Sequence, residues 1–180
     1  MIHIHDLFDE DLEIFHVDGR EIPKKATTGS ACFDLAACLT IDGNPREVHG
    51  YDSSNEKIIR VVNSANKIVL YPGDRLLIPT GVIFNMPSAD YSVRLYSRSG
   101  LSLKKGLVLA NGEGIIDYDY TDEVFAIVQN TSSMVSGIED GERVCQGEMV
   151  ESLNYSLSKI KNAPGEKTDR SGGFGSTGKV

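Results

Sequence analysis

Apolar positions in this chain come in short runs rich in Val, Ile and Tyr: Lys67-Ile-Val-Leu-Tyr71, Arg75-Leu-Leu-Ile78, Tyr91-Ser-Val-Arg-Leu-Tyr96 and Glu123-Val-Phe-Ala-Ile-Val128. Between them stand Pro72-Gly73-Asp74, Pro79-Thr80-Gly81 and Gly141-Glu142, residue types that turn a chain. The pattern predicts many short strands joined by tight turns. No apolar stripe of helical period is sustained over three turns, and only the stretch from Arg98 to Lys105 offers a short helix. An all-β sandwich, jelly roll or barrel follows.

Two stretches depart from this pattern. Residues 43–66 are polar and rich in turn formers, with Ile58-Ile59 as an apolar pair, and read as an inserted surface loop or hairpin with room for a protein partner. From Lys159 onward the chain turns to Lys, Gly, Ser and Thr, with Phe174 as its one apolar anchor near the end. Such a segment cannot pack alone. The organisation expected is a single β domain over 1–160, with the polar insertion at about 43–66, and a flexible arm over 161–180.

A chain of 180 residues is long enough to bury a core of its own. Its net charge of −8 argues against nucleic acid or an anionic membrane as partner, because such partners require a cationic footprint. A phosphate ligand must then meet local positive charge. The cysteines, Cys32, Cys38 and Cys145, are odd in number, lack CxxC spacing and accompany no leader-like or long apolar run, so a reduced cytoplasmic setting is expected, a host's cytoplasm if the source is viral. His3, His5, His16 and His49 lie far in sequence from Cys145 and read as surface histidines rather than metal ligands.

Five segments carry the candidate chemistry: Gly29-Ser-Ala-Cys-Phe-Asp34-Leu, Tyr96-Ser-Arg-Ser-Gly100-Leu, Asn111 through Gly114-Ile-Ile-Asp117-Tyr-Asp-Tyr120, Gly141-Glu-Arg-Val-Cys-Gln146 and Arg170-Ser-Gly-Gly-Phe-Gly-Ser-Thr-Gly178. In the last, glycines let backbone N–H groups approach phosphate oxygens, Ser176 and Thr177 add donors, Arg170 adds a planar cation, and Phe174 offers a face for a base. Arg98-Ser99-Gly100 follows a strand-like run, so a turn or helix start there would present Ser99 and free N–H groups to an anion. The Asn111 amide has the donor and acceptor needed to read N3–H and O4 of uracil. Asp117 follows the apolar pair Ile115-Ile116, and a carboxylate so placed can deprotonate a water. Taken singly, each has an ordinary reading: a Gly/Ser terminus, a helix cap, an Asx turn in a hairpin, a strand-edge acid at Asp34 and a solvent-facing Gln146.

In order and residue type the five resemble the five motifs of the trimeric dUTPases, over nearly the whole chain. The resemblance implies a distorted jelly-roll or β-clip-like fold with a short helix and an exchanged C-terminal arm. It also implies a homotrimer with shared sites, and hydrolysis of dUTP to dUMP and pyrophosphate with Mg²⁺. Asp117 would activate the water. Arg98, Ser99 and Gly100 would hold the α and β phosphates, and Asn111 would read uracil with the backbone of Ile115 and Ile116. Tyr120 would pack beneath the deoxyribose and exclude a 2′-hydroxyl. Phe174 and Gly175 would close over the base while Arg170, Ser176 and Thr177 hold the γ-phosphate, and Asp34 and Gln146 would reach the metal through water. Departures from the family pattern are Cys32-Phe33 for the usual Gly-Tyr, Gly147-Glu148 after Gln146, a short spacing from Arg170 to Gly173, and Thr121-Asp122-Glu123 where Arg-Gly-Glu is common. Asp122 thus stands where a glycine would give a positive φ. Two rival readings remain. One is a dCTP deaminase, alone or combined with dUTPase activity, although Val128-Gln129-Asn130 stands where its catalytic glutamate would be sought. The other is a regulatory or interaction protein of this fold that uses nucleotide as a switch.

Overall fold

Along the strand Phe125–Asn130, burial alternates residue by residue, with Ala126, Val128 and Asn130 turned inward. A period-two apolar pattern has one physical outlet, a sheet with one face in the core. The computed structural model describes residues 11–165 and 167–168. It holds fifteen strands, numbered in chain order: β1 Glu13–His16, β2 Phe33–Ala36, β3 Thr40–Ile41, β4 Asn44–Pro45, β5 Glu47–Tyr51, β6 Lys57–Val61, β7 Lys67–Leu70, β8 Arg75–Pro79, β9 Val82–Asn85, β10 Tyr91–Ser97, β11 Leu107–Leu109, β12 Glu113–Ile116, β13 Phe125–Asn130, β14 Ser136–Glu139 and β15 Arg143–Glu151. The helix α1, Ser99–Lys105, ends on Gly106 in the left-handed conformation, with Lys104 and Lys105 in the last turn opposite the negative end of the helix dipole.

The strands form two larger sheets, β12-β10-β15-β2 and β11-β13-β8-β5-β6, and three two-stranded ones, β1-β9, β14-β7 and β3-β4. Every pairing is antiparallel. Leu35, Val93, Leu95 and Cys145 from the first large sheet meet Leu76, Ile78, Leu107 and Val128 from the second in a single apolar cluster. The result is the all-β, jelly-roll-like architecture expected from the punctuated apolar runs, with the one short helix where it was sought. Asn130 is fully buried inside it, and its amide is matched on both sides: Nδ2 donates to the carbonyls of Leu70 (3.0 Å) and Met134 (2.8 Å), and Oδ1 accepts from Ser132 N and Oγ. Among the described residues no helix is long and apolar enough to cross a membrane.

The polar stretch 43–66 is a hairpin rather than a loop, and it is more than a surface feature. Asp42 and Gly43, both at positive φ, make the two-residue turn between β3 and β4. The β5–β6 hairpin turns at Asp52, whose Oδ1 accepts from Ser54 N and Glu56 N. Gly50 and Tyr51 of β5 pair with Leu76 and Arg75 of β8, so the hairpin extends the five-stranded sheet. Val48, Gly50 and Val62 are buried and Ile58 of the apolar pair packs against the core, while Ile59 is exposed.

Candidate active site

The register of the four-stranded sheet assembles one half of the site. Asp34 of β2 lies opposite Gln146 of β15, and Gln146 lies opposite Tyr96 of β10. Residues directly opposite across antiparallel strands share a face, so Asp34, Gln146 and Tyr96 form one row on the outer surface of the sheet. Arg98, just past the end of β10, folds back onto this row. Its Nε donates to Asp34 Oδ1 at 2.6 Å and its Nη2 to Oδ2 at 3.4 Å. Arg143 adds Nη1 to Oδ2 at 3.0 Å, and Arg98 Nη1 also reaches the Arg143 carbonyl at 3.2 Å. A β-bulge between Arg143 and Cys145 sets this register.

Arg98 is also the N-cap of α1, and its carbonyl accepts from Leu101 N and Ser102 N. Ser99 and Gly100 open the helix and are exposed. A Cβ built at Gly100 would meet nothing within 4 Å, so packing within the chain does not demand a glycine there. A backbone left bare toward solvent suits the close approach of a ligand.

The second half is built by β11, β12 and the turns around them. Asn111, Gly114, Ile115, Ile116 and Tyr120 line a cavity of about 550 Å³, floored by Leu77, Leu95, Leu109, Ala126 and Ile127. Glu47 and His49 of the β5–β6 hairpin complete its wall, which the sequence did not reveal. A hollow of about 700 Å³ shares His49, Leu77, Asn111 and Ile127 with it and runs on to Tyr51, Lys57 and Arg75. Asp117 stands exposed at the end of β12 and starts a turn in which Tyr120 N donates to the Asp117 carbonyl at 3.1 Å. The Tyr120 hydroxyl donates to the Glu123 carbonyl at 2.9 Å. Burial, with the negative charges of Asp122 and Glu123 adding to it, raises the pKa of the Tyr120 phenol and keeps it a donor.

Asp122 does not adopt a positive φ, so the aspartate costs this turn nothing in backbone strain; among the described residues the non-glycine left-handed positions are Asp42, Asn55 and Asn66. The other two departures near the site compensate each other, since Phe33 of β2 lies opposite Gly147 of β15.

The two groups meet on the four-stranded sheet, where β12 pairs with β10 and Glu113 lies opposite Tyr96. Arg170, Phe174, Gly175, Ser176 and Thr177 lie outside the described residues. No cluster of three or more His, Cys, Asp or Glu side chains able to hold a metal occurs among the described residues. Asp34 already faces two guanidinium groups, which fits a carboxylate that steers a hydrated cation better than one that ligates it directly. Arg143 sits inside a motif that drew attention to Gln146 alone. Arg46 carried no local signal, and Glu123 drew attention only as the end of Thr121-Asp122-Glu123.

A family model described as dUTPase matches residues 52–178. The chain is 32% identical over 169 residues to the deoxyuridine 5′-triphosphate nucleotidohydrolase of Bartonella henselae, covering 91% of this chain and 79% of that one. It is likewise 32% identical over 168 residues to the enzyme of that name from Finegoldia magna, covering 93% and 98%. Among solved structures, a point mutant of the Staphylococcus bacteriophage 80alpha dUTPase with dUpNHpp superimposes with a TM-score of 0.67 at 21% identity, covering 93% of this chain and 98% of that one, a likeness that bears on the fold. The match over most of the chain, to the family model and to full-length relatives, establishes that this protein belongs to the dUTPase family.

Proposed function

We propose that this protein hydrolyses dUTP to dUMP and pyrophosphate by attack of water on the α-phosphorus. One observation carries the reading most directly: Asn111, Ile115, Ile116 and Tyr120 share a single cavity, and Asp117 is exposed at the residue after Ile116. The Asn111 amide satisfies the uracil edge. The Tyr120 ring, tethered through its hydroxyl, packs beneath the deoxyribose where a 2′-hydroxyl has no room. Asp117 takes the proton of the attacking water, and Arg98, Ser99 and the backbone at Gly100 hold the α and β phosphates.

Asp34 keeps the Arg98 guanidinium at a fixed angle and, with Gln146, would hold hydrated Mg²⁺ through its waters. The cation's chemistry is to offset charge on the triphosphate oxygens. Arg170, Ser176 and Thr177 bind the γ-phosphate, with Phe174 and Gly175 over the base, in the manner the family resemblance implies.

Homotrimers are typical of this family, and we assign the protein a trimer in which the phosphate group of residues from one chain faces the base cavity of another. The family's typical assembly supports this arrangement. Three free cysteines support work in a reducing cytoplasm. Steady-state assay with dUTP, UTP, dTTP and dCTP, scoring pyrophosphate and ammonia separately, tests the reading. Pyrophosphate from dUTP with little turnover of the others is expected. Ammonia from dCTP would replace the reading with a deaminase, and binding without turnover with a nucleotide switch.

A further inference from the structure

We propose that Arg46, just ahead of the β5–β6 hairpin, is a positioning residue for the base and sugar cavity: through Glu123 it fixes where Tyr120 stands, and so sets discrimination against ribose. The inference rests on the reading of Tyr120 given above, but the strut itself is geometry.

Between the end of β12 at Ile116 and the start of β13 at Phe125 the chain has no ladder of its own. Its shape there depends on a few discrete ties. Arg46 Nη1 donates to Glu123 Oε1 at 2.8 Å and Nη2 to Oε2 at 2.6 Å, a two-pronged match of guanidinium to carboxylate. The same Nη1 reaches the Cys38 carbonyl at 3.2 Å, and Arg46 N donates to the Leu39 carbonyl, so the arginine is itself anchored at both ends. Glu123 Oε1 also accepts from Gly81 N at 2.6 Å. The carboxylate therefore locks residue 123 against two separate parts of the fold, and the carbonyl of that same residue receives the Tyr120 hydroxyl.

Both side chains are largely shielded, Arg46 at 20% and Glu123 at 14% exposure, so water does not substitute cheaply for either partner. The Glu123 hydrogen bond raises the Arg46 pKa, as this geometry requires. Lysine could serve only one carboxylate oxygen, and would leave the fork half empty. With the fork broken, Glu123 keeps the Gly81 contact on its side chain and, through the next residue, the bond from Val124 N to the Val82 carbonyl, so its carbonyl, with the Tyr120 ring hung from it, loses one of its restraints. A shift that widens the space beneath the sugar admits a 2′-hydroxyl. Arg46 would then govern selectivity without touching substrate.

The test compares the native protein, Arg46→Lys, Tyr120→Phe and the double variant for kcat/KM on dUTP and UTP. Hydrogen exchange of the substrate-free proteins across 117–124 is followed in parallel. Arg46→Lys should raise the UTP-to-dUTP ratio about tenfold, since selectivity against an added hydroxyl hangs on close fit. It should also speed exchange across 117–124 while β10 and β15 exchange as in the native protein. In the Tyr120→Phe background, which lacks the tethered hydroxyl, the lysine should add little more. Glu123→Gln, of the same shape without the charge, should act in the same direction and covers the case in which the lysine variant folds poorly. Native exchange across 117–124 in both Arg46→Lys and Glu123→Gln, or effects of Arg46→Lys and Tyr120→Phe that multiply independently, overturns the strut. A native protein that fails to prefer dUTP would instead remove the sugar role of Tyr120, with the exchange data still judging the strut.

Discussion

Phe33 lies across the backbone of Gly147: a methyl group at 147 would sit 2.7 Å from two carbons of the ring. The contact explains two departures from the family pattern as one. An aromatic at 33 without the usual hydroxyl is buried to 8% exposure, and its space is made by a glycine where an apolar residue is usual.

Gly147→Ala should therefore destabilise the fold by about 1–3 kcal/mol through overpacking, read from chemical denaturation. Phe33→Leu in the same chain should recover part of that loss. Because Gln146 and Asp34 are the next pair along these strands, the single variant should also lower turnover. Equal stability of Gly147→Ala and the native protein would mean that the ring moves aside freely.

Asp117→Asn should abolish pyrophosphate release while leaving the affinity for a non-hydrolysable dUTP analogue within about tenfold, because an amide keeps the shape but cannot accept the water's proton. Calorimetric titration and a pyrophosphate assay on the same preparation separate binding from chemistry. Near-native turnover would take Asp117 out of the mechanism.

Mixing Asp117→Asn chains with chains truncated before Arg170 should restore part of the activity that each lacks alone. In a shared-site trimer some sites draw an intact Asp117 and an intact C-terminal segment from different chains. No recovery after subunit exchange verified by mass spectrometry would show that each chain completes its own site.

Acid should weaken the fold first through His16. Burial, and after it the Arg20 guanidinium, lower its pKa from the ordinary 6.5, against opposing contributions from Asp18, Glu123 and the Thr80 backbone. A histidine whose folded pKa is lowered binds its proton more readily when unfolded. The stability it contributes is complete above 6.5 and is lost as pH falls from there through the folded value. Melting temperature should drop over that window, and His16→Gln should flatten the drop. A profile unchanged by the substitution would assign the acid sensitivity elsewhere.

The strands were legible where short runs rich in Val, Ile, Leu and Tyr stand between turn formers, as along Tyr91–Ser97 and Arg75–Pro79, because such runs are too short for a buried helix and the turns fix their ends. The β5–β6 hairpin was legible only as a loop or hairpin. Its inward positions on β5 are just Val48 and Gly50, too few to reveal that it joins a larger sheet. Motif residues Asp34, Arg98 and Gln146 could be named from sequence, but their meeting depends on strand register and a bulge, neither of which is a local property. Arg46 and Glu123, 77 residues apart, are ordinary charged residues until the fold brings them together.

The stretch from Asp42 to Asn66 is tied into the rest of the fold at several separate points. Shortening the chain by joining Ile41 directly to Lys67 would take away the Glu123 fork, the His49 wall, the Val48 and Val62 side chains in the core and the Asn66 carbonyl that receives Asp140 N. Each loss falls on a residue elsewhere that depends on this segment. Deletion alone would not leave a working fold; Glu123, Asp140 and the cavity wall would have to change with it.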